Sequence, residues 1–315
     1  MHFRLRLGLT LALLLPHYAP AQTPTAAFDT LVRDIREDDL KRSPEFASAL
    51  GDRRYNDQLT DISPRAVNDR LAAGRNFLTR LLLIDATTLS AQQKLSADLM
   101  QRQFIEDEQA SRFKEWEMPV QPSHAIQTDL PAMVAYLPFD TVKDYDDYIA
   151  RLHQIPATLR QASDNLLAGI DDQRVQPASV LEKALAQTEE LANAQPEASP
   201  FALPLKKFPA AIDAATRKRI AAAMLDAIQT DVLPAYARFA KFLRVTEIPA
   251  AKPSANLPDH PFSYELNHRH ILELLTQAKS ALGPKFDLKA FHDIAVDVPT
   301  DTLDRRIDAW IAATK

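Results

Sequence analysis

The chain has 315 residues, enough for one large or two ordinary domains of about 150 residues each, and carries a net charge of −5. Its 5 glycines lie far apart, whereas glycine usually makes up about 7% of a chain; phosphate-cradling loops and the glycine-flanked nucleophile elbow, which need clustered glycines, are excluded. With no cysteine, disulfides, thiolate zinc sites, iron–sulfur clusters and cysteine nucleophiles are excluded as well.

Residues 1–21 read as a signal peptide. Arg4 and Arg6 form a basic start, Leu7 to Leu15 an apolar run, and Ala19-Pro20-Ala21 a small-residue cleavage site before Gln22. The apolar run is shorter than the roughly 20 residues a membrane span needs, and no cysteine at the junction offers a lipid anchor. The expected product is exported, periplasmic or extracellular, and soluble, with no membrane span. Arg33, Arg36, Glu37, Asp38, Asp39, Lys41 and Arg42 mix both signs, the pattern of a solvated helix face, so nucleic acid is not an expected partner.

Scarce glycine, abundant Ala, Leu and Gln, and prolines gathered between periodic stretches predict an all-α fold, a multi-helix array with Pro-rich connecting loops. Phe28, Leu31, Val32 and Ile35 share one face of a first helix that ends before Pro44. Ser63-Pro64 starts a second, with Val67, Leu71, Leu78 and Leu82 as its stripe to about Asp85. Ser90 caps a long segment bearing Leu95, Leu99, Phe104, Phe113 and Trp116 and ending near Pro119. Residues 119–140 read as a proline-rich ordered loop.

Thr141 and Asp144 form a capping box for a helix with Tyr145, Tyr148, Ile149 and Leu152 inward, leaving Asp144 and Asp147 on the exposed side. Pro156 starts or kinks the next helix, Gly169 sits at its C′ position, and another helix opens at Pro177. A long pattern follows Asp213 through Ile220, Met224, Ala227, Tyr236, Phe239 and Leu243, with a kink expected at Pro234. Prolines 249, 253, 258 and 261 mark the best internal boundary. Beyond it come a helix from about Glu265 stopped by Gly283-Pro284, a short one near Leu288 to Asp293, and a last one from about Thr302 to Ala313. The organisation is thus residues 1–21, 22–262 and 263–315, the last two expected to pack as one unit.

Chemistry is sparse. None of the eight histidines precedes a glutamate, so the zinc helix that presents two imidazoles one turn apart is absent. His268, His270 and Glu273 form the densest candidate metal group, but His268 and His270 diverge on a helix and a solvated face is the favoured reading of them. His292 beside Asp293 has no nucleophile context and reads as a histidine near packed Phe291. Tyr145, Asp146, Asp147, Tyr148 and Arg151 form an acidic–aromatic stretch read as core and solvated side rather than as acid/base chemistry. Trp116 and Trp310 read as packing anchors. No residue is assigned a catalytic, cofactor-binding or metal role.

The order of several phrases goes further. Asp61-Ile62-Ser63-Pro64, Asp144-Tyr145-Asp146-Asp147-Tyr148-Ile149-Ala150-Arg151-Leu152 with Ile155-Pro156, Ser199-Pro200-Phe201, Val232-Leu233-Pro234-Ala235-Tyr236, Ile248-Pro249-Ala250-Ala251, Leu257-Pro258-Asp259 and, near the end, Ala281 to Leu288 and Ala290 to Asp293 occur in sequence. Together they resemble the bacterial family of domain of unknown function 885. The resemblance implies an exported, helical, zinc-metallopeptidase-like protein whose relatives carry a His-Glu zinc helix in a long central region. Here the part resembling the family's N-terminal half ends near Phe262, and the part resembling its C-terminal end begins by Tyr264. The region between is missing, so no ligand carries over and zinc is expected only in full-length relatives. The leading expectation is a non-catalytic relic or binding module with a peptide or protein partner. An active hydrolase with a rebuilt site at His268, His270 and Glu273, and a structural or inhibitory partner protein, are the alternatives.

Overall fold

The computed structural model describes residues 23–120, 125–251, 274–287, 290–291 and 300–314. Among them every regular element is helical, and a single antiparallel bridge joins Val120 to Ala125. The all-α expectation holds. Two compact units are formed, one by residues up to Asp38 with Leu71–Gln109, the other by Asp39–Arg70 with Ala110 onward. The residues on either side of the expected 262/263 boundary lie outside those described.

The first unit draws on three helices: α1 (Pro24–Arg42), the later part of α3 (Pro64–Leu82), and α4 (Ala91–Ala110); the short α2 (Pro44–Ala49) belongs to the second unit. Phe28, Leu31, Leu81 and Leu89 form its core, with Ile35, Phe77, Ala97 and Met100 packed against them. Ser90 caps α4 as expected, its Oγ accepting from the Gln93 amide at 3.3 Å. Polar ties run between the helices: Arg80 to Asp34, Gln93 to Asp29, and Arg75 to Glu108.

The expected stripes need correction here. The inward side of α4 is Gln93, Ala97, Met100 and Phe104, and the Phe104 ring lies tilted beside that of Phe77 with centroids 6.2 Å apart. Leu95 and Leu99 therefore point outward, as do Val32 on α1 and Leu82 on α3, where Leu81 is the buried residue. The segment also stops short of Pro119: after Ala110 it tightens into a turn, and Lys114 takes a left-handed φ of 48° that no helix continues through. Phe113 is exposed and Trp116 half-buried.

The second unit is built on α5 (Ile126–Ala132), α6 (Val142–Leu152), α7 (Ile155–Asp171), α8 (Ala178–Ala192), α9 (Ala214–Ala227) and α10 (Leu233–Phe242). Its core gathers Tyr145, Tyr148, Leu152, Phe201, Tyr236 and Phe239 among other buried residues. The predicted loop at 119–140 contains α5, whose Pro131 falls near the helix end, six positions in, where one lost amide bond is tolerated. The capping box at α6 is present in both directions: the Asp144 amide donates to Thr141 Oγ1, and the Thr141 amide donates to Asp144 Oδ2 at 2.8 Å. Asp144 is buried rather than exposed, because the same carboxylate also receives the Arg53 guanidinium at 3.1 Å.

From Asp213, whose side chain caps α9 by accepting from the Thr216 amide, the chain stays helical to Ala250. Two wide π turns interrupt it, Ile228–Val232 and Leu243–Glu247. Pro234 and Pro249 follow them by two residues each. A proline has no N–H for the carbonyl four residues back and its ring crowds that carbonyl; a wider turn relieves the clash. The expected kink at Pro234 is accordingly preceded by a π turn. Further on, residues 274–282 are helical, Gly283 with φ 51° ends that helix as expected, and a last helix, Thr300–Thr314, follows. Leu274, Ala278, Leu282, Phe291, Ile307 and Ile311 form their own cluster, with Phe286 and Trp310 packed on it.

Gly169 is not a C′ residue; it lies inside α7, and Gln173 takes the left-handed φ of 58° instead. Glycine is needed there for approach. A Cβ would meet the Glu117 carbonyl oxygen at 2.7 Å and the Arg174 carbonyl oxygen at 2.8 Å, both backbone. Gly169→Ala is expected to lose about 1–3 kcal/mol in urea unfolding, as overpacking does. Gly74→Ala, whose Cβ would meet only Phe104 at 3.8 Å, is expected to be neutral or to gain up to about 1 kcal/mol. Equal effects at the two positions would contradict this reading.

Candidate functional site

His268, His270, Glu273 and His292 lie outside the described residues. Of the eight histidines, His153 alone is described; its Nδ1 lies 2.7 Å from Asp231 Oδ2 at an exposed position. Among the described residues no group of three or more His, Cys, Asp or Glu is placed to hold a metal ion. Two buried charged side chains stand out instead.

Arg151 on α6 is fully buried, its neighbours Tyr145, Tyr148 and Leu152 filling the core beside it. Its Nε donates to the Gln58 carbonyl at 2.8 Å, and its Nη2 lies 2.7 Å from Ser48 Oγ and 3.1 Å from both the Pro44 and Tyr55 carbonyls. One planar guanidinium thus gathers α2 and the segment that follows it to Gln58. Burial pulls its pKa down from the usual arginine range, and Glu45 opposes that. The composition around Arg151 pointed to a solvated pair of carboxylates; the buried cation beside them went unread, because arginine one position off a tyrosine stripe normally faces water.

Removing the guanidinium takes a charged donor from three carbonyls at once. Ser48 Oγ still reaches Pro44 and the Gln58 amide still reaches Tyr55, but the Gln58 carbonyl loses the donor it has. Hydrogen bonds to a charged group are worth about 1.5–3 kcal/mol each. Arg151→Met is expected to cost about 3 kcal/mol or more by urea unfolding, and Arg151→Lys to recover only part, since an ammonium lacks the fork. A loss below about 1 kcal/mol in Arg151→Met would contradict the assignment.

Glu247 is the second. It ends the π turn Leu243–Glu247, is fully buried, and neither carboxyl oxygen has a hydrogen-bond partner. Burial alone pushes its pKa up to about 7. The sequence held a signal for it: Tyr236, Phe239, Leu243 and Glu247 continue one buried stripe at helical spacing, so an acid occupies a core position. A carboxylate there loses its hydration with nothing in return, and the proton is what it takes instead.

The folded state therefore binds this proton more tightly than the unfolded state. Glu247's contribution is fully present below about pH 4.5 and is lost as pH rises through about 7. Glu247→Gln removes that dependence. It is expected to gain up to about 3 kcal/mol over the native chain at about pH 8 and little at about pH 4. Parallel stability–pH curves for the two proteins would refute the buried acid.

Glu117 is also buried, with Lys114 Nζ at 3.1 Å and Arg174 Nε at 3.2 Å from its two oxygens. Lys114 also reaches Asp172, so this cluster ties the turn before Met118 to the end of α7. It is a structural tie.

These features define an all-α scaffold protein with buried polar ties between helices and irregular segments. Its fold is similar to that in the crystal structure of a protein from Colwellia psychrerythraea that carries the name of a lipoprotein, with a TM-score of 0.69 at 14% identity. The likeness covers 92% of this chain and 54% of that one, so the chain spans about half the length of the protein it matches. Residues 44–261 match the family described as bacterial protein of unknown function, DUF885, and the chain belongs to that family. No curated protein matches it significantly.

Proposed function

We propose that this chain is an exported, non-catalytic binding member of its family, which keeps the helical scaffold of a zinc-metallopeptidase-like ancestor without the metal centre. The observation that carries the reading is the histidine pattern: in 315 residues no His is followed by Glu, so the motif that would hold zinc has no matching position. The half-length correspondence with the Colwellia protein supports it, because this chain uses nearly all of itself to cover 54% of that one. Among the described residues no helix is long and apolar enough to cross a membrane, which agrees with export as a soluble product. In this reading the scaffold acts by docking a peptide or protein partner.

The test is elemental analysis by inductively coupled plasma mass spectrometry on protein recovered from the periplasm and dialysed without chelator. The expected result is far less than one zinc per chain, no peptide hydrolysis on adding zinc, and an intact mass that begins at Gln22. About one tightly held zinc per chain, lost together with hydrolytic activity, would overturn the proposal and favour a rebuilt site at His268, His270 and Glu273.

A further inference from the structure

The helical run that begins at Asp213 stops just beyond Glu247. Past the second wide turn only Ile248, Pro249 and Ala250 remain helical, and Ala251 is already extended, with ψ 138°. Up to Arg244 the run is firmly held. Tyr236, Phe239 and Leu243 are buried in the core, Tyr236 donates to the Gln127 carbonyl, and Arg244 pairs with Glu189 on α8. After Glu247 the hold is slight. Ile248 and Ala251 pack half-buried against the core, none of residues 248–251 has a polar side chain, and Pro249 brings no amide. One short turn is thus pinned chiefly by the side chain that precedes it.

That side chain is a carboxyl with no exposed surface and no hydrogen-bond partner on either oxygen. The elements packed against the wide turn are α7, α8, α10 and the turn Ile248–Ala250. Their charged groups lie elsewhere: Arg160, Asp164 and Asp171 on α7, Glu182, Lys183 and Glu190 on α8, and Arg238 and Lys241 on α10 are all exposed. Glu189 is taken by Arg244, the Tyr236 hydroxyl by Gln127, and Ile248–Ala250 carries no titratable group. Among the described residues nothing compensates a negative charge at Glu247.

We infer that Glu247 is a proton-operated latch on the end of this run. Protonated, it lies in the core and keeps the turn Ile248–Ala250 helical. Ionised, it leaves the core for water, and residues 247–251 unwind while α7, α8 and α10 stay in place. The break falls at the wide turn because the α pattern of hydrogen bonds is already interrupted there and the next amide but one is a proline's. The closed form binds the proton more tightly than the open one, so closure is strongest below about pH 4.5 and weakens as pH rises through about 7. The opening is local, confined to the turn through which the chain passes on toward its C-terminal part.

Hydrogen exchange read by mass spectrometry on the purified protein, with rates corrected for their intrinsic pH dependence, tests the latch. In the native chain protection over residues 243–251 is expected to fall on the order of 50-fold between about pH 5 and about pH 8, while α7 and α8 keep theirs. In Glu247→Gln the same residues are expected to stay protected throughout, because the amide does not ionise. Protection that is constant with pH in the native chain, or that falls equally in Glu247→Gln, would overturn the inference. A fall shared evenly by α7, α8 and α10 would overturn it too while leaving the buried acid in place, since the opening would then be global. Circular dichroism melting confirms that the variant folds; should it not, Glu247→Met, uncharged and close in volume, is expected to show the same constant protection.

Discussion

A protein with 22 prolines is short of 22 backbone amides, so many carbonyl groups keep acceptor capacity that the backbone alone does not fill. In the second unit those carbonyls are met by side chains projecting from helices. Arg151 reaches Pro44, Tyr55 and Gln58; Tyr148 donates to the Phe201 carbonyl at 3.0 Å; Tyr145 donates to that of Lys207; and Tyr236 donates to that of Gln127. Arg217 does the same for Pro209 and Ile212. The aromatic stripe of α6 thus has two tasks, apolar rings for the core and hydroxyls for the connecting segments. Burial raises the pKa of all three tyrosines, so each keeps the proton it donates.

The helical run from Asp213 to Ala250 obeys a different constraint. Two prolines enter it, each after a wide turn, and each wide turn adds residues without ending the helix. Glu247 sits where the second wide turn meets the buried stripe. Its unpartnered oxygens make this the least satisfied point of the described core, and the proton it takes up is a local answer to a local mismatch.

The helices, their caps and most of their inward faces were legible in the sequence. Ser63, Ser90, Thr141 and Asp213 begin helices because their side-chain oxygens answer amides that a helix start leaves free. What escaped was tertiary. Leu95 and Leu99 fit an apolar stripe, yet on α4 the smaller and more polar face that includes Ala97 and Gln93 turned inward, a choice made by neighbouring helices. Gly169 sat where a helix stop was plausible, but its reason is a backbone crossing contributed by Glu117, fifty-two positions earlier. Arg151 and Glu247 escaped for one shared reason: a charged side chain in a core position runs against the pattern from which cores are read. The candidate metal group drew on histidines near the C-terminal end, outside the described residues, and no part of the described site rests on it.

The ties made by Arg151 also bear on the order in which the chain can fold. Its acceptors lie 93 to 107 positions earlier. A chain that emerges N-terminus first presents Pro44 to Gln58 long before α6 exists to hold them. Until then that stretch lacks its Arg151 anchor, and the entropy of closing so long a loop is met only when α6 arrives. The second unit therefore closes only after α6 has emerged, whereas the helices of the first unit are all in hand by Ala110, so the two cores can form at different stages of synthesis.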